Sequence, residues 1–239
     1  MRGRIRAYKE VRRRDAEVWE AFPSLPGAHL VFRRVGEGTY EIVDSSERVL
    51  ASVDDRSRSA KRMHPVPLMA RFGSYEPLSV TTGGRKYALK QISTIKPWDL
   101  YQRDSTRQPV LEMIDPAADR FVLRLTGQHI DRKPKAQIYS SNGRSYRLPV
   151  RGRHGSWRML MDAVDTQTGE VLVRFRSVPL TQEESLSRYA LNWRIFRGTI
   201  QVIVDLLVPP QQQPTDEVLL LIVMASASLF NFRESSTGG

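Results

Sequence analysis

The chain contains no cysteine, which excludes disulfide bridges, thiolate metal sites and a cysteine nucleophile and leaves the redox compartment undetermined. Histidine is also scarce. His29, His64, His129 and His154 are far apart and lack metal-ligand spacing, so each reads as a surface or loop residue. There is no Gly-x-Ser-x-Gly elbow, no phosphate-binding Gly-Lys-Ser/Thr loop and no dinucleotide fingerprint. Gly36-Glu37-Gly38 sits between two strand-like runs and reads as a turn, and Asp54-Asp55 and Glu183-Glu184 lie in expected loops. The expectation is a protein that is not an enzyme, with no catalytic residue, cofactor or metal. A secretory leader is not visible either: the basic start Met1-Arg2-Gly3-Arg4-Ile5-Arg6 is not followed by an apolar run of 7–15 residues. A cytoplasmic location follows, possible contact being with the inner membrane surface.

What is abundant is arginine. Lys and Arg number 37 against 26 Asp and Glu, a net charge of +11, and the lysines are only Lys9, Lys61, Lys86, Lys90, Lys96, Lys133 and Lys135. Such a chain is drawn to polyanions in a salt-screened way, and G+C-rich coding alone produces the same bias. Hydrophobic residues make up 40 %, enough for a core, and 239 residues suit one large β domain.

From residue 29 onward short apolar runs alternate with turns. His29–Arg34, Thr39–Val43 and Arg48–Val53 are joined at Gly36–Gly38 and Asp44–Glu47. Leu78–Val80 turns at Gly83-Gly84 into Lys86–Ile92, and Val110–Ile114 turns at Asp115–Asp119 into Phe121–Leu125. Gln137–Tyr139 turns at Asn142-Gly143 into Tyr146–Val150, Met159–Ala163 at Asp165–Gly169 into Val171–Phe175, and Tyr189–Phe196 near Gly198 into Thr199–Leu207. Asn-Gly and Gly-Gly tolerate the positive φ of tight hairpins, and Asp-Pro starts a turn. The pattern is a meander, with Pro149 marking an edge or bulge. Alternation opposes Val171, Val173 and Phe175 to Arg174 and Arg176, Phe121, Leu123 and Leu125 to Arg124, and Tyr146, Leu148 and Val150 to Arg147. Arginines are therefore expected on the outside of a half-buried sheet.

Two stretches depart from this pattern. Residues 54–76 are basic and Ser/Pro-bearing, a connection long enough to be functional or disordered. In residues 4–22, Ile5, Tyr8, Val11, Val18, Trp19 and Phe22 fall near helical spacing around Arg12–Arg14, suiting a helix that packs its apolar stripe on the domain or lies on a membrane. At the other end, Thr215 with Asp216 and Glu217 makes a good helix start, and Val218–Leu229 is apolar on every face save Ser226 and Ser228. A helix without a polar side is buried in protein or in lipid. Fifteen residues, Val218–Phe232, make about 22 Å of helix, short of the ~30 Å bilayer core. Burial inside a closed barrel is expected, and no integral transmembrane span.

The repeated units Tyr40-Glu41-Ile42-Val43-Asp44, Leu111-Glu112-Met113-Ile114-Asp115 and Leu160-Met161-Asp162-Ala163-Val164-Asp165, with the final pairing of Thr199–Leu207 and Val218–Phe232, resemble the tubby C-terminal-like superfamily. That group includes tubby domains, phospholipid scramblases and LURP-one-related proteins, and the resemblance spans residues 29–233. It implies a mainly β fold: a closed antiparallel barrel of about twelve strands around a buried apolar C-terminal helix. Tubby domains bind phosphoinositide headgroups through basic residues on the outer barrel face, but no such site matches here residue by residue. Asp162, Asp165 and Glu170 lack the ligand density of an EF-hand, which puts scramblase-type calcium control in doubt.

The division expected is a basic, helical segment at 1–28, one barrel domain at 29–233 with its central helix at 215–232, and a flexible tail at 234–239. Val218, Leu219, Leu221, Ile222, Val223 and Leu229 are the helix's core candidates. For anion or headgroup binding the candidates are Arg56, Arg58, Lys61, Arg62, Arg85, Lys86, Lys90, Arg132, Lys133, Lys135, Arg147 and Arg151. The partner expected is an anionic phospholipid or membrane surface. Nucleic acid is the other polyanion, although Tyr87 and Tyr146 are read as inward-facing and so unable to stack on bases.

Overall fold

The computed structural model describes residues 20–36, 39–54, 78–91, 109–126, 129–130, 133–134, 136–151, 160–178 and 201–235. Its strands are His29–Gly36 (β1), Thr39–Val43 (β2), Val49–Asp54 (β3), Leu78–Thr82 (β4), Arg85–Gln91 (β5), Pro109–Asp115 (β6) and Arg120–Thr126 (β7). There follow His129–Ile130 (β8), Lys133–Pro134 (β9), Gln137–Ser140 (β10), Ser145–Arg147 (β11), Val150–Arg151 (β12), Leu160–Asp165 (β13), Val171–Val178 (β14) and Gln201–Leu206 (β15). One helix, Asp216–Ser235 (α1), follows β15.

Every strand pair is antiparallel. β1 to β7 lie in chain order, continue through β10 and β11, and return through β13, β14 and β15 to β1. Tyr146 opposite Asp165 closes one seam and Leu30 opposite Val204 the other, so twelve strands form a ring. β12 pairs with β13 as a short thirteenth strand, and β8 with β9 as a separate small hairpin. Closure leaves the ring strands no free edge to template foreign strands. The fold is mainly β, a closed twelve-stranded antiparallel barrel with a single C-terminal helix, as expected.

Six of the seven hairpins read from the sequence are present: β1/β2, β2/β3, β4/β5, β6/β7, β10/β11 and β13/β14. The seventh differs. Both edges of β15 are occupied, by β1 and by β14, so it does not hairpin onto residues 189–196, which lie outside the described residues. Local alternation marks a strand but not its partner. Pro149 does break a strand: it separates β11 from β12, and its carbonyl accepts from the Asp162 amide at 3.1 Å.

The helix fills the ring. Leu219, Leu220, Leu221, Ile222, Val223, Met224, Ala225 and Ser226 are consecutive and all buried, which only a helix enclosed on every side permits. All of these but Ser226 share one core with Phe32, Ile42, Val80, Tyr87, Met113, Leu123, Tyr146 and Phe175 from around the barrel. The helix is longer than expected: it runs to Ser235 rather than ending at 232, so no tail begins at 234. Its twenty residues make about 30 Å, against about 20–23 Å for strands of six or seven residues. Length therefore does not separate this helix from a bilayer span; its place inside the barrel does. Among the described residues no helix is long and apolar enough to cross a membrane.

Leu221→Asp, which buries an unpaired carboxylate in this core, is expected to cost about 3–5 kcal/mol. Thermal denaturation followed by circular dichroism reads the loss; an unchanged midpoint would show that Leu221 is not core.

Candidate functional site

The barrel has two unlike ends. At one, tight turns join β2 to β3, β4 to β5, β6 to β7, β10 to β11 and β13 to β14, and α1 enters. At the other, strands are joined through residues 37–38, 55–77, 92–108, 127–136, 152–159 and 179–200.

The helix is locked in at the tight-turn end. Thr215 Oγ1 accepts from the Val218 amide, capping the first turn, and Asp216 Oδ1 accepts from Thr82 Oγ1 at 3.1 Å. Gly83, at φ +55°, lies so close that a Cβ there would stand 2.7 Å from Asp216 Oδ1. Glu217 accepts from Asn142 Nδ2 at 2.8 Å and from the Tyr146 hydroxyl at 3.4 Å. Burial, and then the charge of Glu217, raise Tyr146 above its ordinary value, while Arg144, hydrogen-bonded to Tyr146, is itself raised. In the turn before β3, burial pushes Asp44 up, but the Arg48 and Ser46 amides and the Arg48 guanidinium outweigh it, and the carboxyl is held low.

On the outer wall several of the arginines face a carboxylate on a neighbouring strand. Arg33 faces Glu41 across β1 and β2, and Arg124 faces Glu112 across β6 and β7. The register shift between Met113 and Ile114 leaves Phe121 outside the core, under the Arg124 guanidinium at 4.4 Å, rather than on the inward face with Leu123 and Leu125. Arg174 and Arg176 overturn the expectation of exposed arginines outright, at 7 % exposure each.

Those two belong to a row of alternating charge that crosses five neighbouring strands. His29 on β1 is opposite Asp205 on β15, Asp205 opposite Arg174 on β14, and Arg174 opposite Asp162 on β13. Asp205 is fully buried, 3.0 Å from His29 Nδ1 and 2.8 Å from Arg176 Nε. Arg174 donates Nε to Asp162 Oδ1 at 2.7 Å and Nη2 to Oδ2 at 3.2 Å, a two-pronged pair whose geometry suits guanidinium and carboxylate. Arg151 on β12 lies 3.9 Å from Asp162. Residues 20–28 cover the row. Phe22 lies against the Arg151 guanidinium, 3.6 Å from its ring centroid, and the Pro23 carbonyl accepts from Arg174 Nη1 at 2.5 Å. Gly27 anchors the other end: a Cβ there would stand 2.0 Å from the Leu206 carbonyl oxygen, and Leu206 donates its amide to Ala28.

The anion-binding candidates are not brought together on the wall. Arg85, Lys86 and Lys90 are exposed on β5, but Lys90 is in register with Glu112. Arg147 is exposed on β11, with β6, β7 and β10 between. Arg151 is half-buried, with Phe22 against its guanidinium and Asp162 3.9 Å away. Lys133 falls in β9. Arg56, Arg58, Lys61, Arg62, Arg132 and Lys135 lie outside the described residues. Val218, Leu219, Leu221, Ile222, Val223 and Leu229 are all in α1; Val218 is half-buried at its start, and Leu219, Leu221, Ile222 and Val223 are core.

The charge count explains the scatter. Of the 37 Lys and Arg and 26 Asp and Glu, the described residues hold 15 and 15, leaving 22 against 11 for the remainder. The whole excess of +11 therefore lies outside the described framework. The four long connections 55–77, 92–108, 152–159 and 179–200 hold 13 basic against 6 acidic residues, and residues 1–19 hold 7 against 3. At the tight-turn end the balance is reversed: Asp44, Glu47, Asp115, Asp119, Asp165, Glu170, Asp216 and Glu217 face Arg48, Arg85, Arg120 and Arg144. Alternation in the sequence could not show this, because it marks the side of a strand and not what neutralises it.

Among the described residues no group of three or more His, Asp or Glu is placed to hold a metal ion. Comparison with protein-family models finds no match, and comparisons with curated proteins and with solved structures find none.

Asp162→Ala is expected to destabilise the fold by about 3 kcal/mol or more, because Arg174 loses its main buried partner. Adding Arg174→Met should recover most of that loss in denaturant unfolding. Tyr146 is expected to ionise above 10.0 in the folded chain. Its contribution to stability is therefore complete below about pH 10 and is lost as pH rises through the folded value. Ultraviolet titration against Tyr146→Phe isolates it, and Glu217→Gln should bring it down.

Proposed function

We propose that this chain is a non-enzymatic module that docks peripherally on anionic phospholipid, with its basic connections rather than its barrel wall supplying the attraction. The observation that carries this reading is the segregation of charge: a described framework with equal numbers of basic and acidic residues, and the +11 excess in chain joined to one end and in the residues before Glu20. Lys and Arg near an anionic bilayer are worth about 1 kcal/mol each, so several acting together suffice for salt-sensitive docking. A closed barrel with a capped, enclosed helix is a rigid body, well suited to presenting such segments. The likeness to the tubby C-terminal-like superfamily belongs to the same proposal; a twelve-stranded ring around one apolar helix supports it, and phospholipid is the partner that likeness suggests.

Co-sedimentation with anionic and neutral liposomes tests the reading. Pelleting is expected with anionic vesicles only, declining from low to physiological salt and persisting against a nucleic-acid competitor. Arg56, Arg58, Lys61 and Arg62 changed together to Gln should weaken pelleting at least tenfold, and Lys86→Gln with Lys90→Gln much less. Failure to pellet with anionic vesicles at low salt would refute the reading, and loss of pelleting to the competitor would favour nucleic acid.

A further inference from the structure

Asparagine is rare in this chain: Asn142, Asn192 and Asn231 are the three, and only Asn142 is followed by glycine. A glycine carries no side chain to keep its backbone nitrogen away from the carboxamide before it. Asn142 and Gly143 form the exposed tip of the β10/β11 turn, with Gly143 at φ +89° and nothing within 4 Å of where a Cβ would stand. Neither ring closure nor water is barred there.

The side chain is held between opposing influences. Asn142 Oδ1 accepts from the Arg144 amide at 3.0 Å, so the carboxamide folds back over the backbone that follows it, and an N–H donor polarises its carbonyl. Two bonds hold closure back. Asn142 Nδ2 donates to Glu217 Oε2 at 2.8 Å, and the Gly143 amide donates to the Ser140 carbonyl at 3.1 Å. The first of these belongs to the helix start, where the Tyr146 hydroxyl also donates to Glu217 at 3.4 Å. Asn142 and Tyr146 together tie Glu217 to the β10/β11 hairpin.

We propose that Asn142 is a self-modification site, whose deamidation releases the start of the central helix from the β10/β11 hairpin. The Gly143 nitrogen bonds to Asn142 Cγ and its proton passes through solvent to Nδ2. The Cγ–Nδ2 bond breaks and ammonia departs, leaving a cyclic imide. Water then opens the imide at either carbonyl, giving aspartate or isoaspartate. The product inverts the contact: a carboxylate oxygen takes the place of the donor that stood 2.8 Å from Glu217 Oε2. Like charges that close repel, and the donor is not restored. Thr82 still holds Asp216, so the first helical turn loosens while the barrel stays closed.

Peptide mapping of the folded full chain, stored at mildly alkaline pH, tests the first half of this. Aspartate and isoaspartate are expected at position 142 and not at Asn192 or Asn231, which precede Trp193 and Phe232. Glu217→Ala, which frees Nδ2, should speed conversion about tenfold, and Asn142→Gln, whose longer side chain closes far less readily, should stop it. Asn142→Asp reads the consequence. The Leu219 amide, which donates to the Thr215 carbonyl, should exchange with solvent about tenfold faster in that variant, with the amides of residues 223–226 unchanged. Melting curves confirm that the variant is folded. An Asn142 that stays intact in the folded chain after a denatured sample has converted would overturn the proposal. So would a folded Asn142→Asp whose Leu219 amide exchanges as in the unaltered chain.

Discussion

The structure depends on one packing relation, an apolar helix enclosed by a ring of strands. A twelve-stranded barrel is too wide for its own inward side chains to fill, and a helix apolar on every face has nowhere in water to lie. Each is the other's solution. Leu220, Ile222 and Met224 are as deeply buried as Ile42, Val80 and Leu123 of the wall. The helix start adds polar specificity to this: Thr82, Asn142 and Tyr146 reach Asp216 and Glu217 from two separate hairpins. These contacts fix depth and rotation, which apolar packing alone leaves loosely defined.

The core cluster among the described residues takes no charged side chain, so the framework's charge lies on the wall and at the ends, where several carboxylates are paired. Glu41, Glu112, Asp162 and Asp205 each sit where a neighbouring strand presents a cation. Opposite charges directly across a sheet stabilise it modestly at the surface, while the two deeply buried pairs on β13, β14 and β15 act chiefly as specificity, being costly to break. Equal numbers of basic and acidic residues leave the described framework neutral, so the excess of +11 belongs to other parts of the chain.

How much of this could be read in advance follows from the range of each interaction. Turn chemistry is local, so Gly83-Gly84, Asn142-Gly143 and Asp115-Pro116 located hairpins, and an unbroken apolar run identified the central helix. Ring closure is not local: nothing near Gln201–Leu206 says that its neighbours are His29–Phe32 and Val173–Val178. The side of the strand was right for Arg174 and Arg176, yet their exposure was wrong. Burial there depends on Phe22 and Pro23, some 150 residues earlier in the chain. A single register shift likewise turned Phe121 away from the core. As for the site, residue type pointed to anions, but only the fold shows that the wall candidates stand apart and that Arg151 is already engaged.

Native-state amide hydrogen exchange of α1 tests the central relation most directly. Amides enclosed by the barrel can meet water only when the ring opens, so those of residues 223–226 should exchange at the free energy of global unfolding and shift together with denaturant. Exchange of these amides well before global unfolding, with the strand amides still protected, would contradict a helix on which the barrel depends.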